Sequence, residues 1–209
     1  MRPVLPVTLE NTWVRIEPLD PSQAGDFVIA GSDPALWRYM FADALSDEST
    51  AGRWIDEMLA SPAMTASFAV YEKRSGELAG STSLINANRP FRSVEIGYTW
   101  YAKRFQRTLV NTATKRLLLG HVFDELGVVR VQLQTDARNL ASQRAIERLG
   151  ATREGRLRKH KTYPSGDVRD SVIYSIIDDD WPAVRQRLDR LLKDPHEAGV
   201  SESSAEKRT

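Results

Sequence analysis

Asn139 and Ser142 stand three residues apart where a strand pattern gives way to a helix pattern, and this junction is where chemistry is first expected. Upstream, Val128, Val129 and Val131 form a β-branched run that alternates on through Gln132, Leu133, Gln134 and Thr135, as a strand with a buried face does. Turn-forming and capping residue types at 136–139 break the alternation. A short helix follows, with Ala141, Ala145, Ile146 and Leu149 on one stripe, and Gly150 stands where a left-handed residue closes a helix. First-turn N–H groups have no partner within their helix, so such a junction suits a ligand rich in hydrogen-bond acceptors.

The composition removes other chemistries. The chain has no cysteine, which excludes disulfides, thiolate metal sites and a covalent acyl-cysteine intermediate. His121, His160 and His196 are far apart and lack metal-ligand spacing, so no metal is expected. The net charge of +1 gives no global attraction to nucleic acid or to an anionic membrane. No apolar run approaches the roughly 20 residues of a membrane span, and the N-terminal residues lack the apolar core of a signal peptide, so a cytoplasmic location is expected. At 209 residues, with 41% hydrophobic and 27% charged residues, one domain over 1–192 and a polar, disordered tail over 193–209 are expected.

The positioning elements can be read in order. Residues 12–19 alternate as a first strand, and Asp20-Pro21 starts a helix with Pro at its first position. Residues 24–30, 34–41 and 48–59 are predicted as three helical pieces, the last capped by Ser46-Asp47. Their aromatic and Met content (Trp37, Tyr39, Met40, Phe41, Trp54, Met58) suits packing onto a sheet, or the wall of a substrate pocket. Residues 67–72 and 77–85 form a hairpin around a turn at 73–76, and 86–91 is a loop. A strand over 92–101 carries Gly97 inside it, which predicts a bulge or a close backbone approach. A helix over 111–126 follows, then the 128–150 unit, two paired strands over 151–161 and 168–177, and a helix beginning near Trp181.

Several of these segments carry a resemblance. Asn139-x-x-Ser142, with Ala145 and Leu149-Gly150-Ala151, resembles the N-x-x-S…A-x-x-x-[LN]-G-[FA] segment of the GNAT N-acetyltransferases. Glu154-Gly155 through Arg158 resembles the "EG-x-L-R" of the branch that holds the ribosomal-protein N-terminal acetyltransferases of RimJ/RimL type. Glu95 through Trp100 is similar to "EIGY-x-[WL]", and the end of the chain carries a similar "D-x-x-x-Y-S" and "[DE]-W-P". The resemblance extends over roughly residues 12–192. It implies a mixed α/β fold, a mostly antiparallel sheet with flanking helices, and a bulge that splays the sheet to admit acetyl-CoA. It also implies transfer of acetyl to a primary amine, on a protein N-terminus or a small molecule, with a ribosomal protein as one acceptor and a homodimer as a common assembly. The region before residue 60 would serve the acceptor side.

In the same reading, residues 106–111 (Gln106, Arg107, Thr108, Leu109, Val110, Asn111) take the place of the family's pyrophosphate loop. Leu109 and Asn111 stand where the pattern has Gly and Gly/Ala, a departure, because a positive φ at a branched residue costs about 1 kcal/mol or more. A modified loop that still holds the coenzyme is expected, helped by the helix N-terminus and by Arg107 or Lys115. The departure also leaves open a non-catalytic acyl-CoA-binding or regulatory protein.

Acetyl transfer to an amine needs a neutral amine, an N–H for the oxyanion and a proton for the thiolate. Glu95 is the first candidate base and Glu154 the second, each with the alternative of a surface or arginine-paired carboxylate. Ser142 is a candidate to hydrogen-bond or protonate the sulfur, and Asn139 to bind the amides of the pantetheine arm while capping its helix. Without cysteine, direct attack in a ternary complex is favoured over a covalent intermediate. The basic run 153–161 could touch the coenzyme's 3′-phosphate or ribosomal RNA, or be a solvated sheet edge. Binding to nucleic acid is not expected otherwise.

Overall fold

The computed structural model describes residues 1–194. Within them eight strands form one sheet: β1 (Leu9–Glu10), β2 (Val14–Pro18), β3 (Met64–Glu72), β4 (Leu78–Asn88), β5 (Ser93–Tyr101), β6 (Arg130–Asp136), β7 (Thr152–Thr162) and β8 (Val168–Ile177). Their order is β1-β2-β3-β4-β5-β6-β8-β7, antiparallel throughout except for β5 against β6. The helices are α1 (Ala24–Gly31), α2 (Glu48–Ala60), α3 (Val110–Gly120), α4 (Leu140–Leu149) and α5 (Trp181–Lys193). The mixed, mostly antiparallel α/β sheet with flanking helices is the fold class expected from the sequence. The tail lies, from residue 195 on, outside the described residues, as does His196.

Local signals set most boundaries. Asp20 caps a 3-10 turn that leads into α1, and Asp47 with Thr50 forms a capping box on α2. Gly150 ends α4 at φ 100°, a backbone only glycine adopts cheaply. Alternation places Val14 and Ile16 of β2 in the core, and α5 buries Trp181, Val184, Leu188, Leu191 and Leu192.

Two expectations need correction. The predicted helix over 34–41 is a single 3-10 turn, Pro34–Leu36. Trp37 and Phe41, four apart, would share one helix face, but they are used in different places. Trp37 Nε1 donates to the Gly31 carbonyl at 2.7 Å and its ring joins Trp54 and Trp100, whereas Phe41 stacks on Tyr163 with ring centroids 4.8 Å apart. The predicted loop 86–91 is shorter, because β4 runs on to Asn88 across an irregular register.

The helices divide between the faces of the sheet. Trp100 joins Phe27, Trp37 and Trp54 on the α1–α2 side, while its neighbour Thr99 accepts a hydrogen bond from Lys115 of α3 on the other. α4 packs on β6 and against α5. The core therefore fills both faces of β2–β5 and only the α3–α5 face of β6 and β8, leaving room on the other face beside β5.

Candidate active site

β5 and β6 start as a pair and then part. Their parallel register holds for Ser93, Val94 and Glu95 against Arg130, Val131 and Gln132, and pairs nothing beyond. On its other edge β5 slips against β4, from Ser83↔Gly97 to Ser81↔Trp100, so that Tyr98 and Thr99 form a bulge with Tyr98 at φ 48°. The bulge sits one residue beyond Gly97. Gly97 contributes closeness instead: a Cβ there would lie 2.9 Å from Ile85 Cδ1. The bulge bends β5 away from β6, and a cavity of about 630 Å³ lies along the parted strands.

That cavity joins both faces of the sheet. On the α1–α2 side it is walled by Tyr39, Met40, Phe41, Glu95, Gln134, Lys161 and Arg169. On the other it meets Gln106, Arg107, Thr108, Asn111, Asn139, Ser142, Arg144 and Arg148. The aromatic block before residue 60 thus divides: Trp37, Trp54 and Met58 are core, whereas Tyr39, Met40 and Phe41 form cavity wall.

Residues 106–112 form a loop with free amides in spite of the departures at Leu109 and Asn111. Leu109 has φ −72°, and the left-handed position falls on Arg107, φ 59°. Leu109 packs against the core and Val110 is buried in it, so neither side chain obstructs the loop. The N–H groups of Arg107, Thr108, Leu109 and Asn111 have no acceptor among the described residues, while that of Val110 is taken by Thr108 Oγ1 at 3.3 Å. A run of free amides at the start of α3, with Arg107 beside it, fits a diphosphate. Across the cavity, Asn139 Oδ1 accepts from the Ser142 N–H at 3.0 Å, leaving the amide NH₂ of Asn139 and the hydroxyl of Ser142 free for a ligand.

The two candidate bases differ sharply. Glu95 is 5% exposed and lines the cavity. Its Oε2 accepts from Gln132 Nε2 at 3.3 Å and its Oε1 from Gln134 Nε2. A carboxylate has about four acceptor positions, so Glu95 keeps capacity for a ligand N–H. Glu154 is not on the cavity wall. Both its oxygens take the Arg130 guanidinium at 2.6 Å, and Oε1 also accepts from Ser175 Oγ at 2.7 Å. The Arg130 hydrogen bonds, then that of Ser175, hold its pKa down at about 2. A base needs the opposite displacement, so position and pairing both favour Glu95 over Glu154.

Lys115, expected as a helper of the loop, is buried yet lines the same cavity. The residue is 4% exposed, and its ammonium donates to Thr82 Oγ1 at 3.1 Å and Thr99 Oγ1 at 2.7 Å, pinning α3 beneath the bulge. Burial pulls its pKa down to about 7. The basic run on β7 is also divided: Arg156 pairs with Asp170, and Lys161 reaches the α1–α2 side of the cavity. Sequence reading missed Arg169 and Gln134 as wall residues. Arg169 had a signal, since it shares the buried alternation of Ser171, Ile173 and Ser175, where an arginine is out of place.

One cavity along the split parallel pair thus joins free loop amides on one face with a buried carboxylate on the other. The family model described as "Acetyltransferase (GNAT) domain" matches residues 14–152. The chain belongs to the GNAT acetyltransferase family. It is 37% identical over 106 residues to the "Putative ribosomal N-acetyltransferase YdaF" of Bacillus subtilis, a match covering 51% of this chain and 57% of that protein. A GCN5-related N-acetyltransferase from Brucella melitensis superposes with a TM-score of 0.88 at 27% identity, over 99% of this chain and 92% of that one. Mycobacterium smegmatis RimJ, solved in complex with CoA-disulfide, shares the fold at a TM-score of 0.75 and 20% identity, over 91% of this chain and 97% of that one.

Proposed function

We propose that this chain is an acetyl-CoA-dependent N-acetyltransferase acting on a primary amine by direct attack in a ternary complex. The observation that carries the proposal is one cavity connecting Arg107, Thr108 and Asn111, whose amides are free, with Glu95 through the parted strands. The names of the relatives, a ribosomal N-acetyltransferase and a RimJ bound to a CoA disulfide, support the same coenzyme and a ribosomal protein as one acceptor.

In this reading the loop amides and Arg107 hold the diphosphate, and Asn139 binds the pantetheine amides. Glu95 takes the proton of the incoming ammonium, and Ser142 lies on the side of the thiol. Acetyl-CoA supplies the acyl thioester: a C–N bond forms, the C–S bond breaks, and the thiolate leaves as CoA with one proton. An α-amine with pKa of about 8 is mostly protonated at neutral pH, which is why a base is needed. A homodimer and a cytoplasmic location belong to the same proposal.

The test is calorimetric titration of acetyl-CoA into wild type and Asn139→Ala, followed by thiol release with peptide N-termini and small amines. Micromolar binding, about tenfold weaker in the variant, is expected from the loss of a buried hydrogen bond. No binding to folded protein overturns the proposal. Binding without turnover of any amine favours the non-catalytic acyl-CoA-binding alternative.

A further inference from the structure

Two cations stand on the acceptor side of the cavity without a carboxylate of their own. Arg169 is 5% exposed; its Nε donates to Ser171 Oγ at 3.1 Å, and its guanidinium lies over the rings of Phe41 and Tyr163, 5.3 and 5.9 Å from their centroids. Lys161 is its direct partner across the β7–β8 pair, with Nζ 5.8 Å from the centroid of the same Phe41 ring. Both line the cavity. Among the described residues neither makes an ion pair, although Arg130, Arg138 and Arg156 on the same three strands and the β6–α4 turn each hold a carboxylate.

Burying an unpaired charge is costly, and two like charges side by side add repulsion. Burial and the neighbouring Arg169 both depress Lys161, with Glu95 opposing them. Among the described residues Glu95 is the single carboxylate on this wall, one against two, and no ion pair or hydrogen bond joins it to either cation. Gln134 adds an unpaired acceptor to the same wall. Its Oε1 is buried, beside Glu95, and no donor reaches it. A carboxylate and an orphaned carbonyl side by side suit the N–H groups of an ammonium. The wall thus offers acceptors at one place and unpaired donors at another.

We propose that the acceptor is an amine that also carries an anionic group, with the ammonium received by Glu95 and Gln134 Oε1 and the anion by Arg169 and Lys161. This rests on the acetyltransferase reading of the same site. The guanidinium fork matches a carboxylate or phosphate in a plane, and Ser171, Phe41 and Tyr163 fix that plane in advance. A free amino acid and a peptide N-terminus followed by an acidic residue both present this chemistry.

The test uses thiol release, to which a chain without cysteine adds no background. Glycine is compared with glycinamide, and amidated Ser-Asp-Gly with amidated Ser-Asn-Gly; the pair that responds identifies the source. The anionic member of one pair is expected to be preferred at least about tenfold in kcat/KM, and Arg169→Gln to raise its KM about 10- to 100-fold with a smaller change in kcat. Lys161→Met, with a smaller rise in the same direction, serves if Arg169→Gln fails to fold. Independently of turnover, sulfate titrated into CoA-loaded protein, with the loop amides already occupied, is expected to bind saturably and to lose that binding in either variant. Equal use of charged and neutral members, or sulfate binding that is absent or indifferent to both variants, overturns the inference. Either result alongside tight acetyl-CoA binding leaves the acetyltransferase reading standing; loss of acetyl-CoA binding itself ends both.

Discussion

Strand β6 has a different neighbour on each edge, and the two seams are built in opposite ways. Toward β8 every residue from Arg130 to Asp136 is paired, and the side chains above that seam close on one another: Arg130 grips Glu154, and Glu154 accepts from Ser175. Toward β5 the ladder stops after three residues, and the side chains beside that seam leave groups unsatisfied: spare capacity on Glu95, an orphan Gln134 oxygen and loop amides without acceptors. Two glutamates on strands separated by β6 and β8 therefore have different fates. The lesson is that a carboxylate's use follows from whether its neighbours satisfy it, more than from its position on a strand.

The strongest way to break the comparison is to neutralise the glutamate of the parted seam. Glu95→Gln is expected to lower kcat about 100- to 10,000-fold, the usual contribution of a positioned base, with acetyl-CoA affinity held; stopped-time thiol release and calorimetry read the two quantities. A fall of less than tenfold would move the base elsewhere.

Lys115→Met sharpens the contrast from beneath the bulge. It removes a buried ammonium that no carboxylate compensates, and leaves Thr82 and Thr99 hydrogen-bonded to each other at 2.8 Å. The variant is expected to be more stable by about 1–3 kcal/mol at pH 7, a rise of several degrees in Tm. The sign of its pH dependence follows from a folded pKa of about 7 against an unfolded 10.5. Between these values the unfolded chain binds more protons, so the wild type gains stability as pH rises, and the advantage of the variant shrinks toward pH 10.5. Melting curves of both proteins from pH 7 to 10 check this.

The smallest effect belongs to the closed seam. Glu154→Gln loses a half-exposed ion pair, so a cost below about 1 kcal/mol is expected, with turnover unchanged. The Glu154 pKa is depressed from 4.5 to about 2, so its contribution is present above pH 4.5 and is lost as pH falls through 2. The Tm gap between wild type and variant should close over that range.

Local signals were legible in the sequence because their causes are local. The Asn139 cap, Gly150, the Asp47 box and the alternation of β2 and β6 each depend on residues within one turn or one strand. The site was legible in part. Glu95 and the loop 106–111 could be placed through resemblance, yet what separates Glu95 from Glu154 is Arg130, 24 residues from Glu154 and joined to it only by strand order. The 34–41 helix failed for a related reason: Trp37 and Phe41 are drawn to partners that follow 17 and 122 residues later, Trp54 and Tyr163. The objection to Leu109 dissolved once the left-handed residue proved to be Arg107, a backbone fact that side-chain identity does not encode.

Hydrogen–deuterium exchange with and without acetyl-CoA tests the parted seam most directly. The account predicts protection over residues 96–101, 106–112 and 137–145, with the β7–β8 hairpin, residues 152–177, unchanged. Protection confined to the basic strand β7, or none in the first three segments, would contradict it.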